Sequence, residues 1–377
     1  MAWRMLAALV LAVSAALPAR AADTVKIGAV VSVTGPASYL GEPEKNTLLY
    51  LQDQLNEKGG IGGQKVEVIV YDDESDVNKA VLAAEKLLKR DQVAAVVGPS
   101  VSGNTLALMP KMAEAKVPLV SMAAAEKIVN PVNPWIFKTP QSDRLAVAKL
   151  LADAKAKGFK KLAIITVSDG FGQAGREVLK EMIPAAGMEL VADEIFGPKD
   201  TDMTAQLTKI AGAAPQAVIC WGTGPAPAQV ARGRAQLGQK TPLYMSHGVA
   251  SPKFVELAGE AAEGLVLPAS WIIVADQMPE GPFKALLSAY IQGYTKRFGT
   301  APSAFGGYGY DALTLLAEAA RISGNATPQG LRDGLEKVKG LQSATGVFNF
   351  SEKDHNGLDE SSFAMVRIEG GKFVLVK

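Results

Sequence analysis

The sequence predicts an α/β protein of two similar lobes, each built around a parallel sheet. Short Val- and Ile-rich strands alternate with single amphipathic helices, which is the pattern of parallel sheets with right-handed crossovers. The pattern restarts at Lys161, and 377 residues exceed what a single core normally organises.

Residues 1–21, MAWRMLAALVLAVSAALPARA, read as a secretory leader: Arg4, an apolar run, and Ala19-Arg20-Ala21 as a small-x-small cleavage signal. The next strand is 26–33, and the helix 40–59 is stopped by Gly59-Gly60. Strand 66–74 leads to helix 78–91, with apolar residues at helical spacing. Strand 94–99, helix 105–116 and strand 117–123 complete the first run. WIFKTPQSD (135–143) looks like a passage between lobes.

The second run has strands at 161–169, 189–196, 216–222 and 243–248, with helices at 175–187, 205–214 and 229–238. Helices at 285–299 and 310–324 follow. The chain ends in a hairpin-like segment, 363–377. No repeat of low complexity and no charge block interrupts it.

The leader takes Arg4 and Arg20 with it, leaving 37 basic and 38 acidic residues, so no basic face for nucleic acid is implied. Beyond the leader no apolar stretch reaches the roughly 18–20 residues that span a bilayer. The one cysteine, Cys220, lies in the apolar run AVICW and reads as a buried thiol. No cysteine stands at the leader's end, so a lipid anchor there is not expected. The leader then points to a protein free in the periplasm.

Ligands of open parallel sheets sit outside the carboxyl ends of the strands. Those ends supply Gly35, Gly98-Pro99-Ser100, Ala123 to Ala125, Asp169-Gly170, Gly222-Thr223-Gly224 and His247-Gly248. These are binding groups, not a catalytic kit. Gly170–Gly175 matches the dinucleotide pattern G-x-G-x-x-G, but Ser168-Asp169 separates it from its strand and it opens the second run. Gly98–Gly103 fails the hydrolase G-x-S-x-G spacing, because Ser102 stands where the second glycine belongs. Its serines and the following helix start suit a carboxylate instead. One cysteine and two distant histidines, His247 and His355, form no metal cluster, and Asp72-Asp73-Glu74 reads as a solvated strand end. No metal and no cofactor is expected. Trp135, Trp221 and Trp271 are more often core than platforms, though Trp221 and Trp271 lie at strand ends.

KIGAVVSVTGPASYLG, LNEKGGIGGQKVEVIVYDDESD, VAAVVGPSVSG and VPLVSMAAA, in that order, resemble the leucine/isoleucine/valine-binding protein family, type I periplasmic binding proteins of ABC importers. KLAIITVSDGFGQAG, AGEAAEGLVL and YGYDALTLLAEA extend the likeness over the whole mature chain. The resemblance implies two Rossmann-like lobes joined by three hinge crossings, near Thr139–Asp143, Pro268–Trp271 and Phe348–Glu352. Residues 22–141 and 271–349 would form one lobe, and 142–270 and 350–377 the other. It implies a monomer that captures a small ligand by hinge closure, performs no reaction, and presents the closed form to an ABC permease.

The family's carboxylate-binding serine matches Ser102, and its backbone-contact positions match Ala123 and Ala125. A cleft aromatic matches Phe171, a side-chain contact matches Leu40, and Thr223 and His247 lie at the remaining strand ends. Amino-acid binders of the family usually carry Ser or Thr at the position of Ala125 and an acid near His247; SHGVAS has none. An ammonium buried without its anion costs several kcal/mol. A carboxylate ligand without an α-amino group is therefore expected. Phe171, Trp221 and Leu40 would offer it flat apolar surface, and VSMAAAE, KTPQSD and SHGVAS resemble members that bind aromatic carboxylates such as benzoates. Branched-chain or other aliphatic amino acids, then amides, urea or aliphatic acids, are the alternatives, as is a sensor role beside a membrane receptor.

Overall fold

The computed structural model describes residues 24–376; the leader lies outside the described residues. The first run folds as β1 (Val25–Val31), α1 (Ser38–Glu57), β2 (Val66–Asp72), α2 (Val77–Lys86), β3 (Ala95–Val97), α3 (Ser102–Ala115), β4 (Leu119–Ser121) and β5 (Ile136–Lys138). All five strands are parallel, in the order β2-β1-β3-β4-β5. Helices cover both faces, so every residue of β1 except Lys26 is buried. That is why the strand reads as an unbroken apolar run.

The second run is α4 (Asp143–Ala156), β6 (Lys161–Val167), α5 (Gly170–Ala185), β7 (Glu189–Phe196), α6 (Thr204–Gly212), β8 (Ala217–Trp221), α7 (Ala226–Gln236), β9 (Leu243–Met245), α8 (Pro252–Ala258) and β10 (Val266–Ser270). The order β7-β6-β8-β9-β10 repeats that of the first sheet. Leu150 and Val178 pack on one face, Leu207, Val230 and Phe254 on the other.

After β10 come α9 (Pro282–Phe298), α10 (Ala304–Ser323), α11 (Pro328–Leu335), the two-residue strands β11 (Leu341–Gln342) and β12 (Val347–Phe348), then β13 (Phe363–Glu369) and β14 (Lys372–Leu375). β13 runs antiparallel to β10, and β14 to β13. The second sheet is thus mixed: the terminal hairpin extends it by an antiparallel edge of two strands. α10 and α11 pack in the first lobe's core through Leu313, Leu316, Leu331 and Leu335.

The first crossing runs from β5 into α4. The other two differ from the sequence expectation. Ile272, Val274 and Tyr290 remain in the second lobe's core, while the Tyr290 hydroxyl meets Thr47 Oγ1 of α1 at 2.6 Å. The return to the first lobe therefore runs from Trp271 to α9, whose Arg297 pairs with Asp53 of α1, rather than turning at Trp271 alone. Phe348 and Phe350 both pack in the first core, and His355 stacks on Phe137 with centroids 4.0 Å apart. The last crossing consequently lies between Asn356 and Phe363, not at Phe348–Glu352. Its alternating phenylalanines belong to a first-lobe loop, which a strand-like reading assigns too early.

Candidate functional site in the cleft between the lobes

In each sheet the strand order reverses direction beside the first strand, at β1/β3 and at β6/β8. These are the switch points where open α/β sheets hold ligands. Here the two face each other across a cavity of about 420 Å³, within the usual range for small-molecule pockets.

The first lobe contributes the start of α3. Its N-cap, Val101, is extended and offers no capping side chain, so the first-turn N–H groups of Ser102, Gly103 and Asn104 have no helical acceptor. All three residues line the cavity. The Ser102 hydroxyl oxygen accepts from Ala125 N–H at 3.3 Å, which leaves its proton to donate. This corner is built for an anion. Gly41 lets α1 press on the end of β1, because a Cβ there would stand 2.3 Å from the Ser32 carbonyl carbon. That contact sets Leu40 in the wall.

The second lobe presents α5, whose N-terminus is already occupied. Asp169 Oδ1 accepts from Phe171 N–H at 3.0 Å and Gly172 N–H at 2.9 Å. The pyrophosphate seat that a dinucleotide would need at Gly170–Gly175 is filled by this carboxylate. Asp169 lines the cavity, and burial pushes its carboxyl above the usual range.

His247 closes the far wall. It is 2% exposed and stands edge-on to Phe171, Trp221 and Phe363, with centroids 5.4–5.6 Å away. Neither Nδ1 nor Nε2 has a partner among the described residues. Burial first, and then the Lys138 ammonium, hold its pKa down to about 3. A neutral imidazole can donate from one nitrogen and accept at the other. Both are exceptional in having nothing to bond, since buried polar groups are nearly always satisfied.

Six of the eight residues singled out from sequence line the cavity: Leu40, Ser102, Ala123, Phe171, Thr223 and His247. Ala125 and Trp221 stand behind it, both fully buried. Ala125 spends its N–H on Ser102, and Trp221 stacks on the back of Phe171 at 5.6 Å. Sequence reasoning missed Met122, Phe305 and Tyr308, which add apolar wall; it named Asp169 at a strand end but did not weigh it as the cleft's acid. It looked for a cleft acid beside His247, whereas the carboxylate enters from the end of β6. Pro302-Ser303 before the aromatic start of α10 was the available signal for Phe305 and Tyr308.

The other candidates are structural. His355 Nδ1 donates to the Ile136 carbonyl at 2.7 Å inside the first core. Asp73, expected to be solvated, is buried and held by Ser32, Asn104 and the Ser75 N–H. Cys220 is buried and its thiol is pushed well above the usual range by desolvation. No group of metal-ligating residues occurs among the described residues.

The lobes touch directly. The Tyr39 hydroxyl of α1 accepts from Gly224 N–H of the second lobe. A Cβ on Gly170 would stand 3.1 Å from Gly103 N, so the two helix starts meet across the cleft. The cleft between the lobes is thus narrowed to a closed form.

Residues 24–372 match the periplasmic binding protein family. The leucine-, isoleucine-, valine-, threonine- and alanine-binding protein of Pseudomonas aeruginosa is 28% identical over 340 residues, covering 88% of this chain and 87% of its own. An extracellular ligand-binding receptor of Rhodopseudomonas palustris HaA2 superposes with a TM-score of 0.87 at 32% identity, over 93% of this chain and 99% of that one. The substrate-binding protein LivJ of Streptococcus pneumoniae, solved with isoleucine, gives 0.82 at 26% identity, over 93% and 98%. Two lobes whose parallel strands share one order, three crossings and a family match over residues 24–372 lead to one conclusion: the chain belongs to the periplasmic binding protein family, among the type I members that include the Leu/Ile/Val-binding proteins.

Proposed function

We propose that this protein is the periplasmic binding component of an ABC importer and captures a small aromatic carboxylate of the benzoate or hydroxybenzoate type. The observation that carries this is the pairing of two polar ends across an apolar cavity. An uncapped helix start with Ser102 faces the first-lobe side, and an unpartnered neutral His247 faces the other. The carboxylate would take the N–H groups of α3 and the Ser102 hydroxyl. His247 would meet the distal oxygen, and Leu40, Phe171 and Phe305 would cover the ring. Burying a ring of roughly 120 Å² contributes about 3 kcal/mol. Capture proceeds by population shift, because the ligand contacts both lobes only when they are closed. The closed form is what the permease would recognise, and the protein acts as a monomer without chemistry.

Asp169 supports a second reading, a branched-chain amino acid whose ammonium lies near that carboxylate. The names of the Pseudomonas and Streptococcus relatives favour it. The aromatic acid is preferred because Asp169 already serves as the cap of α5 and Ala125 offers no hydroxyl. A thermal-shift panel of ligand-free protein against 4-hydroxybenzoate, benzoate, leucine, valine and urea separates the readings, since a native-state ligand raises the midpoint by mass action. Shifts with the aromatic acids alone support the proposal. A shift with leucine alone overturns it.

A further inference from the structure

We propose that Gln141 is the residue that fastens the closed arrangement, tying the cavity wall to all three crossings through one side-chain amide. Gln141 lies in the first crossing and is fully buried. Its Nε2 donates to Ser270 Oγ at 3.2 Å, where β10 ends and the second crossing begins. The same Nε2 donates to the Ser362 carbonyl at 2.9 Å, at the end of the third crossing. Its Oε1 accepts from the Tyr308 hydroxyl at 3.4 Å, and the Tyr308 ring lines the ligand cavity.

The partners belong to different bodies. Tyr308 sits on α10 in the first lobe's core, while Ser270 and Ser362 flank the paired strands β10 and β13 of the second sheet. A rotation of one lobe on the other must change the Tyr308-to-Ser270 and Tyr308-to-Ser362 separations. Hydrogen bonds tolerate only a few tenths of an ångström of such change. The full set therefore exists at one interlobe angle, the closed one. Neighbouring bonds bind the first and third crossings: Asn356 Nδ2 donates to the Pro140 carbonyl at 2.8 Å, and Ser142 Oγ to Asn356 Oδ1 at 2.9 Å. Among the described residues, Gln141 alone links the three crossings to a residue that a ligand would touch. It is a positioning residue for binding and never contacts the ligand itself.

The inference rests on the hinge-closure reading but not on the ligand's identity, so its test uses none. Lys127 Nζ of the first lobe meets Glu177 Oε1 of α5 at 2.8 Å, so Lys127→Cys and Glu177→Cys come within reach of a short bis-maleimide when the lobes are closed. The initial rate of cross-link trapping in ligand-free protein then reports the closed population, and buried Cys220 stays out of the reaction. Added to this pair, Gln141→Leu is expected to slow trapping about tenfold, the effect of losing one to two net hydrogen bonds from the closed state. Tyr308→Phe, which keeps the ring, is expected to slow it severalfold, and the double variant no further than Gln141→Leu alone. A merely structural role would lower the unfolding midpoint without slowing trapping. Trapping at the parental rate in both single variants overturns the proposal. Should Gln141→Leu fail to fold, Tyr308→Phe and Ser270→Ala decide it by the same rate.

Discussion

Replacing His247 by Phe should make the protein more stable and a poorer binder at once. Phe fills nearly the same space and keeps the edge-on contacts to Phe171, Trp221 and Phe363. It removes two buried nitrogens that have no partner among the described residues. An unsatisfied buried polar group costs about 1–3 kcal/mol, and an apolar replacement of the same shape recovers much of that. At pH 7.5 ligand-free His247→Phe is therefore expected to unfold at higher temperature. The advantage should widen with acid. The folded pKa is near 3 against an ordinary 6.5, so between those values the unfolded chain binds a proton that the native protein refuses. The wild type's stability contribution, complete above pH 6.5, is lost as the pH falls toward 3, at about 1.4 kcal/mol per unit. Binding moves the other way. Losing a hydrogen bond to a charged or phenolic oxygen costs about 1.5–3 kcal/mol, roughly a 10- to 150-fold weaker Kd. Calorimetric melts at several pH values and a 4-hydroxybenzoate titration read both. A variant that binds 4-hydroxybenzoate as tightly as the wild type would refute the role given to His247. A melt whose difference from wild type is flat between pH 7.5 and 5 would refute the buried neutral imidazole.

Three further substitutions separate the corners of the cleft. Ser102→Ala should weaken 4-hydroxybenzoate about 10- to 150-fold and also cost about 1–3 kcal/mol of stability, because Ala125 N–H loses its acceptor; titration and urea unfolding measure the two. Asp169→Asn keeps the Oδ1 that caps α5 but removes the charge, so calorimetry should find 4-hydroxybenzoate bound at least as tightly as before. Gly175→Ala drives a Cβ to 2.0 Å from Trp221 Nε1 and displaces the ring that backs Phe171; a loss of about 1–3 kcal/mol in stability and a shifted tryptophan emission are expected.

Much of this architecture was legible because fully buried strands and single crossover helices leave strong periodic signals. β1, β6 and β8 are apolar on both faces, and the repeat of the first run by the second is visible as a restart. Strand ends exposed the loop residues of the cleft for the same reason. What stayed hidden depends on packing across long separations. Nothing local in NFSEKDHN tells that Phe350 remains in the first core, because its partner Phe137 is over two hundred residues away. Asp169 reads as a turn residue until α5 is seen to be capped by it, and Trp221 reads as a platform until Gly175 is seen to admit it behind Phe171. The Gln141 knot joins positions 141, 270, 308 and 362. No spacing along the chain announces it.

The ligand proposed for the cleft is a carboxylate without an α-ammonium. Leucine and 4-methylpentanoate share a side chain and a carboxylate and differ in that ammonium alone. Titrating ligand-free protein calorimetrically with both, and with 4-hydroxybenzoate, isolates it. 4-Hydroxybenzoate should bind, and 4-methylpentanoate should bind no more weakly than leucine. Leucine binding more tightly than both would place an ammonium beside Asp169 and rule out the ammonium-free cleft.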